Sequence, residues 1–246
     1  MNNPIEYIPI LTTCFSIYFT IEIFKHYKYR KTSYLLWWTL GVLTFGMGTL
    51  AESINVLFGW HEMNVRYWYI VGALLGGFPL AQGSVYLLLN KKFADITSVF
   101  FTLMIITGGV AVMLTPFSIP EGFNYKLTGA VFAWKWVRLF SPLINIYAFI
   151  FLVGGAIYSA YKFRKVLQRN DNAGPEKESR AITAARYKGN ILIAIGGLLP
   201  GIGGTFTRMG YVNVLFITEL MGLILIYVGY RIIKDNKNSL MIQWHK

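Results

Sequence analysis

Seven apolar runs, each close to the length needed to cross a bilayer, take up about two-thirds of the chain. A hydrocarbon core of about 30 Å needs about 20 residues of helix. The runs lie at roughly Ile5 to Phe24, Tyr34 to Phe58, Tyr67 to Asn90, Ala94 to Phe117, Arg138 to Tyr161, Gly189 to Arg208 and Tyr211 to Ile233. Inside hydrocarbon every backbone N–H and C=O must be satisfied within the protein, which leaves helices and closed barrels as the spanning structures. Runs this long predict helices, so the expected fold is all-α: a polytopic seven-transmembrane-helix bundle. What remains between the runs suffices for connections, and one membrane domain covering residues 1–246 is expected. The stretch before Pro9 holds Glu6 and no Lys or Arg, the wrong charge for a cleaved signal. The first span is therefore expected to be retained.

Charge gives the expected orientation. The chain carries a net charge of +12 with 23 Lys and Arg residues. Eighteen of them fall in the connections that would share one side, among them Lys25, Lys28, Lys91, Lys92, Lys162, Arg164, Arg186 and Lys234. By the positive-inside rule the N-terminus is outside and the C-terminus inside. Basic residues clustered beside spans account for the charge without nucleic acid, which is not an expected partner; membrane lipids are. The inner connection Lys162 to Lys188 contains the turn-rich run Asn170-Asp171-Asn172-Ala173-Gly174-Pro175 and is the place where a protein partner would dock, or where anionic lipid is attracted. The outer connection Ser118 to Val137, with Trp134 and Trp136, is expected to lie along the headgroup layer, and Trp37, Trp38, Trp60 and Trp68 are read as belt anchors.

The second and sixth spans align without gaps, from Gly41 to Glu52 and from Gly197 to Arg208. Gly76 and Gly83 of the third run have the same separation as Gly222 and Gly229 of the seventh. The order suggests a 3+1+3 parallel repeat, with halves 1–93 and 138–235 joined by a fourth helix, 94–117. In outline this layout resembles the SWEET and PQ-loop families, although the Pro-Gln pair is absent: Pro79 and Gln82 are three apart. Through Leu35-Leu36-Trp37-Trp38, Gly48-Thr49-Leu50-Ala51-Glu52, Gly72-Ala73-Leu74-Leu75-Gly76 and Thr218-Glu219-Leu220, most of the chain resembles an uncharacterised group of bacterial seven-helix integral membrane proteins. That resemblance implies a multi-pass protein of the bacterial inner membrane and brings no activity with it. Glycine pairs such as Gly72/Gly76, Gly154/Gly155 and Gly197/Gly201 are read as faces of close helix approach.

Ionisable groups within spans are costly and need a partner or a water-filled cavity. At about 1.5 Å per residue, Glu52 lies some 9 Å below the outer boundary, Asn145 about 10 Å and Glu219 about 12 Å. Arg208 ends the sixth span and is long enough to reach inward. These four are expected to form one outer-half cluster, in which one carboxylate pairs with the arginine and the other can carry a proton. Such a cluster is either a ligand or proton-coupling site or an ion-paired clamp that fixes the bundle. Gln82, near Pro79, is a further candidate for contact with a solute at mid-membrane, or else bonds a neighbouring helix.

Several chemistries are excluded. His26, His61 and His245 fall at span ends or in the tail, so no imidazole pair is placed to ligate haem, and no His-Glu-x-x-His motif marks a metal hydrolase. The seventh span lacks a lysine between Tyr211 and Ile233 for a retinal Schiff base. Cys14 is the only cysteine, which rules out a multi-thiolate metal site. No cofactor and no metal is expected, and no catalytic motif is present. The leading expectation is an integral membrane transporter or ligand-binding bundle for a small solute or ion. The alternatives are a non-enzymatic scaffold or subunit of a larger complex, and an enzyme acting on a lipid with Glu52 or Glu219 as acid or base.

Overall fold

The computed structural model describes residues 4–119, 121–123, 125–169, 177–209 and 211–243, the side chains at 169, 177–179, 208 and 237–243 excepted. Seven helices are long and apolar enough to cross a membrane: Pro4–Arg30, Ser33–Phe58, Glu62–Leu88, Lys91–Leu114, Lys135–Gln168, Arg180–Thr207 and Val212–Asn236, with mean hydropathy from 1.3 to 2.1 over their most apolar stretches. They are the first to seventh spans below, and they match the seven apolar runs, with ends that lie up to nine residues outside those of the runs or up to three inside. Long apolar side chains such as Leu11, Val99, Phe100 and Leu143 stand exposed on their surfaces, as lipid-facing side chains do.

Local chemistry sets the span ends. The first span stops at Lys31, which takes a left-handed conformation (φ 48°) and donates its N–H to the Tyr27 carbonyl at 2.6 Å. The second stops at Gly59, whose φ of 82° suits a residue without a Cβ. Asn90 caps the start of the fourth span by accepting a hydrogen bond from the Phe93 N–H at 2.9 Å.

Backbone contacts divide the chain into two units, Met1–Phe151 and Leu152–Lys246. The division falls inside the fifth span, within the wide-turned π segment Phe149–Gly154, and not at the ends of the halves read from the repeat.

In the first unit the first and second spans pack through small residues. A methyl added at Gly46 would strike the Ser16 side chain. The Thr13 and Thr49 hydroxyls lie 2.9 Å apart, with Ser53 3.5 Å from Thr13. The second span crosses the third backbone to backbone, since a methyl at Gly48 would sit 3.3 Å from the Gly72 Cα. The third span is not one regular helix. An α-helical start at Glu62–Trp68 passes into a π segment, Tyr69–Leu75; the ladder breaks at Gly76 (φ 9°, ψ −102°) and restarts at Phe78–Leu88 with Pro79 in the first turn. Proline fits there because its missing N–H would have no intrahelical partner.

The connection between the fourth and fifth spans folds back on itself. Phe117 and Phe132 form an antiparallel bridge, and Ser118 donates to the Val131 carbonyl at 2.7 Å while Ala133 donates to the Pro116 carbonyl at 2.9 Å. Trp60 stands edge-on to Phe117, Phe123 and Tyr125, each with ring centroids 5.9 Å away. Thus Trp60, read from sequence as a belt anchor, packs within an aromatic cluster, and Trp37 packs on Phe78 and Tyr86.

In the second unit the sixth and seventh spans run antiparallel along a glycine seam. A methyl at Gly196 would lie 2.6 Å from the Gly222 carbonyl oxygen, and one at Gly189 would lie 2.7 Å from that of Gly229. Further along, Gly203 faces Leu215, whose Cα would be 2.9 Å from the added methyl. Each contact recurs after seven residues on both helices, the period that keeps a seam on one face. Gly197 instead meets Leu152 and Val153 of the fifth span, while Gly201, Gly204 and Gly154 have open space where a side chain would begin. The pairs Gly197/Gly201 and Gly154/Gly155 are therefore not the sixth–seventh seam, which is carried by Gly189, Gly196, Gly203, Gly222 and Gly229.

Candidate functional site

Glu52 is buried to 4% exposure near the C-terminal end of the second span. Its Oε1 accepts a hydrogen bond from the Trp68 indole N–H at 3.2 Å. The Gly48–Gly72 crossing makes this contact: it brings the third span against the second one turn below Glu52. Gly72, one turn below Trp68, leaves space beside the indole, whose Nε1 would be 3.6 Å from a methyl added at Gly72. A buried indole N–H usually finds an acceptor, and a carboxylate is the strongest one on hand. Next to Glu52 on its helix, Ala51 receives the Asn64 side-chain amide on its carbonyl at 2.9 Å. Thr49, Thr13 and Ser53 surround the same level with hydroxyls, although Thr13 and Ser53 donate to carbonyls of their own helices.

Asn145, on the fifth span, attends the interruption of the third. Its Nδ2 lies 3.0 Å from the Ser141 hydroxyl and 3.5 Å from the Ala73 carbonyl oxygen. That carbonyl belongs to the π segment just before the break at Gly76. Widened turns leave carbonyls poorly served by the helix itself, and a side-chain amide from a neighbouring helix supplies a donor. The fifth span has its own π segment four residues after Asn145, so two irregular helices meet at this level.

Gln82 is wholly buried, and both ends of its amide are engaged. Nε2 donates to the Ala94 carbonyl of the fourth span at 2.8 Å, and Oε1 accepts from the Tyr147 hydroxyl of the fifth at 2.6 Å. Tyr147 in turn packs against Phe101 with centroids 4.0 Å apart. Gln82 thus ties the third, fourth and fifth spans together, the neighbouring-helix reading of that residue.

Glu219 is half-buried on the seventh span, in the second unit. Thr218 beside it points its hydroxyl back to the Val214 and Leu215 carbonyls and packs against Gly203. The Arg208 side chain lies outside the described residues, and so does the Asn170 to Pro175 run of the inner connection. Of the five residues singled out by sequence, Glu52, Asn145 and Gln82 belong to the first unit, each held by different partners. Among the described residues no three His, Cys, Asp or Glu side chains are grouped to hold a metal ion.

Two side chains outside that set also shape the first unit. Trp68, read as a belt anchor, is the donor to Glu52. Arg66 crosses to the C-terminal end of the fourth span, where its guanidinium donates to the carbonyls of Val112, Met113 (3.1 Å) and Thr115 (2.9 Å) and lies 4.5 Å over the Phe117 ring. A cation at a helix C-terminus satisfies carbonyls that the ladder leaves open and complements the helix dipole. No family model, curated protein or solved structure matches this chain.

Proposed function

We propose that the chain is a multi-pass membrane protein of the bacterial inner membrane, N-terminus outside, that binds and moves a small solute or ion. In this reading Glu52 is the ionisable element and the interrupted third span is the part that gives way. The observation that carries it is the placement of a buried carboxylate at the crossing of the second span with a discontinuous one. A carboxylate at membrane depth is costly and marks ion or proton pathways more often than it marks packing. Broken helices, with backbone groups released from the ladder, recur where transporters hold their cargo. Asn145 adds a neutral polar group to the same break. Glu219 and Arg208, on the seventh and sixth spans, remain proposed ion- or proton-binding residues of the second unit on the strength of their depth in their spans.

The reading is tested by proton flux. Purified protein is placed in liposomes containing a pH-sensitive dye, and a sodium or potassium gradient is imposed. Flux above that of empty liposomes, lost in Glu52→Gln, is the expected result. Rates equal to empty liposomes under both gradients overturn the coupled-transport reading and leave a scaffold.

A further inference from the structure

The first unit carries an apolar groove of about 610 Å³ between the second, third and fourth spans. Its floor is the interruption of the third span, Leu75, Phe78 and Pro79, and its outer wall includes Ile106, Val110 and Leu114, all three well exposed. The groove therefore opens sideways, toward the hydrocarbon. Its volume is in the range of small-molecule sites. From Arg66 to Pro79 the third span covers at most about 20 Å, less through its wide turns, against about 15 Å for one leaflet of a core about 30 Å thick, so it is long enough to back a lipid tail.

One end of the groove is charged. Ile70, one helical turn below Arg66, lines it, and so does Met113, whose carbonyl receives an Arg66 N–H at 3.1 Å. The guanidinium thus sits on the rim at the outer end. Among the described residues no carboxylate is within ion-pair distance of Arg66; it bonds carbonyl oxygens and covers a ring. Arginine presents five N–H donors in a planar fork, so two or more remain after three carbonyl bonds, and phosphate oxygens suit that fork. An apolar slot that opens to lipid and ends in a cation with no acidic partner among the described residues is complementary to an anionic amphiphile.

We propose that this groove is a binding site for an anionic phospholipid, one acyl chain lying over the Leu75–Pro79 break and the phosphate on Arg66. The site is independent of the Glu52 reading and of any transport. Its occupant would rest on the one part of the third span that lacks a regular ladder, and so would brace it.

Native mass spectrometry of the purified full chain tests the proposal, with phosphatidylglycerol and phosphatidylcholine of identical chains as the probes. Phosphatidylglycerol is expected to be retained about five-fold more tightly, the effect of about 1 kcal/mol for one basic residue near anionic lipid. Arg66→Gln is expected to bring the two lipids level. Gly109→Leu places a side chain on the groove wall near Ile70, where a Cβ at Gly109 would have only ordinary contacts at 3.9 Å and beyond; it is expected to lower retention of both lipids. This second variant leaves Arg66 and the end of the fourth span untouched, so it decides the matter even if Arg66→Gln fails to fold. Equal retention of the two lipids by the unaltered protein, or full phosphatidylglycerol retention by Gly109→Leu, overturns the proposal.

Discussion

Gly196 and Gly222 face each other so closely that a methyl on either would lie 2.6 Å from the carbonyl oxygen of the other. Backbone rather than side chain sets the limit there, so the neighbour has no rotamer with which to yield. Gly196→Val and Gly222→Val are expected to lower stability by about 1 to 3 kcal/mol, the usual cost of overpacking. Gly201→Ala and Gly204→Ala, where nothing lies within 4 Å, are expected to leave it unchanged or slightly raised. Thermal unfolding in detergent, followed by size-exclusion chromatography, separates the two pairs. Equal effects would mean that the sixth and seventh spans do not meet along this seam.

Trp68→Phe removes the indole donor to Glu52 and keeps most of the packing. A single intramolecular hydrogen bond contributes about 0.5 to 1.5 kcal/mol, and a loss within that range is expected for the single variant. Adding Glu52→Leu, which removes the acceptor, should make the combined loss smaller than the sum, since both changes act on one contact. Unfolding of the four proteins in mixed micelles measures the coupling, and strict additivity would show that the two side chains do not interact.

The Gln82 tie makes a similar test for the third, fourth and fifth spans. Interhelical hydrogen bonds in membranes average about 0.6 kcal/mol and reach about 1.7, so Tyr147→Phe is expected to cost in that range. Gln82→Leu should cost more, because it removes the bond to the Ala94 carbonyl and also takes the acceptor from the Tyr147 hydroxyl. A Gln82→Leu variant as stable as the parent would contradict the buried tie.

Orientation is open to chemical labelling. With Cys14→Ser as background, Glu62→Cys is expected to react with a membrane-impermeant maleimide in intact spheroplasts. Lys165→Cys is expected to react only after permeabilisation. Both positions are exposed. The reverse pattern would invert the assignment drawn from the lysines and arginines.

The seven spans were legible because lipid imposes length and apolarity residue by residue, a signal that needs no knowledge of neighbours. The sixth–seventh seam was not. The run Gly196 to Gly204 holds five glycines, and which of them meets a partner depends on the antiparallel register with Gly222 and Gly229, a relation between two helices. Those same two glycines entered the repeat alignment through their spacing, which packing also explains. Glu52 stood out as an ionisable group in an apolar span, but its donor Trp68 is sixteen residues away on the next span, brought near by the Gly48–Gly72 crossing and the Asn64–Ala51 bond. Arg66, at the margin of a span, reads from sequence only as a boundary charge, because its acceptors are backbone carbonyls, which every sequence has.

A regular α-helix converts each residue into about 100° of rotation, and wide turns convert it into less. Between Tyr69 and Leu75 the third span absorbs chain length without turning the residues beyond it by the full amount. The bearing of Gln82 toward the Ala94 carbonyl is therefore set seven residues upstream and more, by a segment that contributes no side chain to that bond. A change there that tightened the coil would swing the lower half of the helix about its axis, and the fourth and fifth spans would lose their grip on it with no residue at their own contact altered.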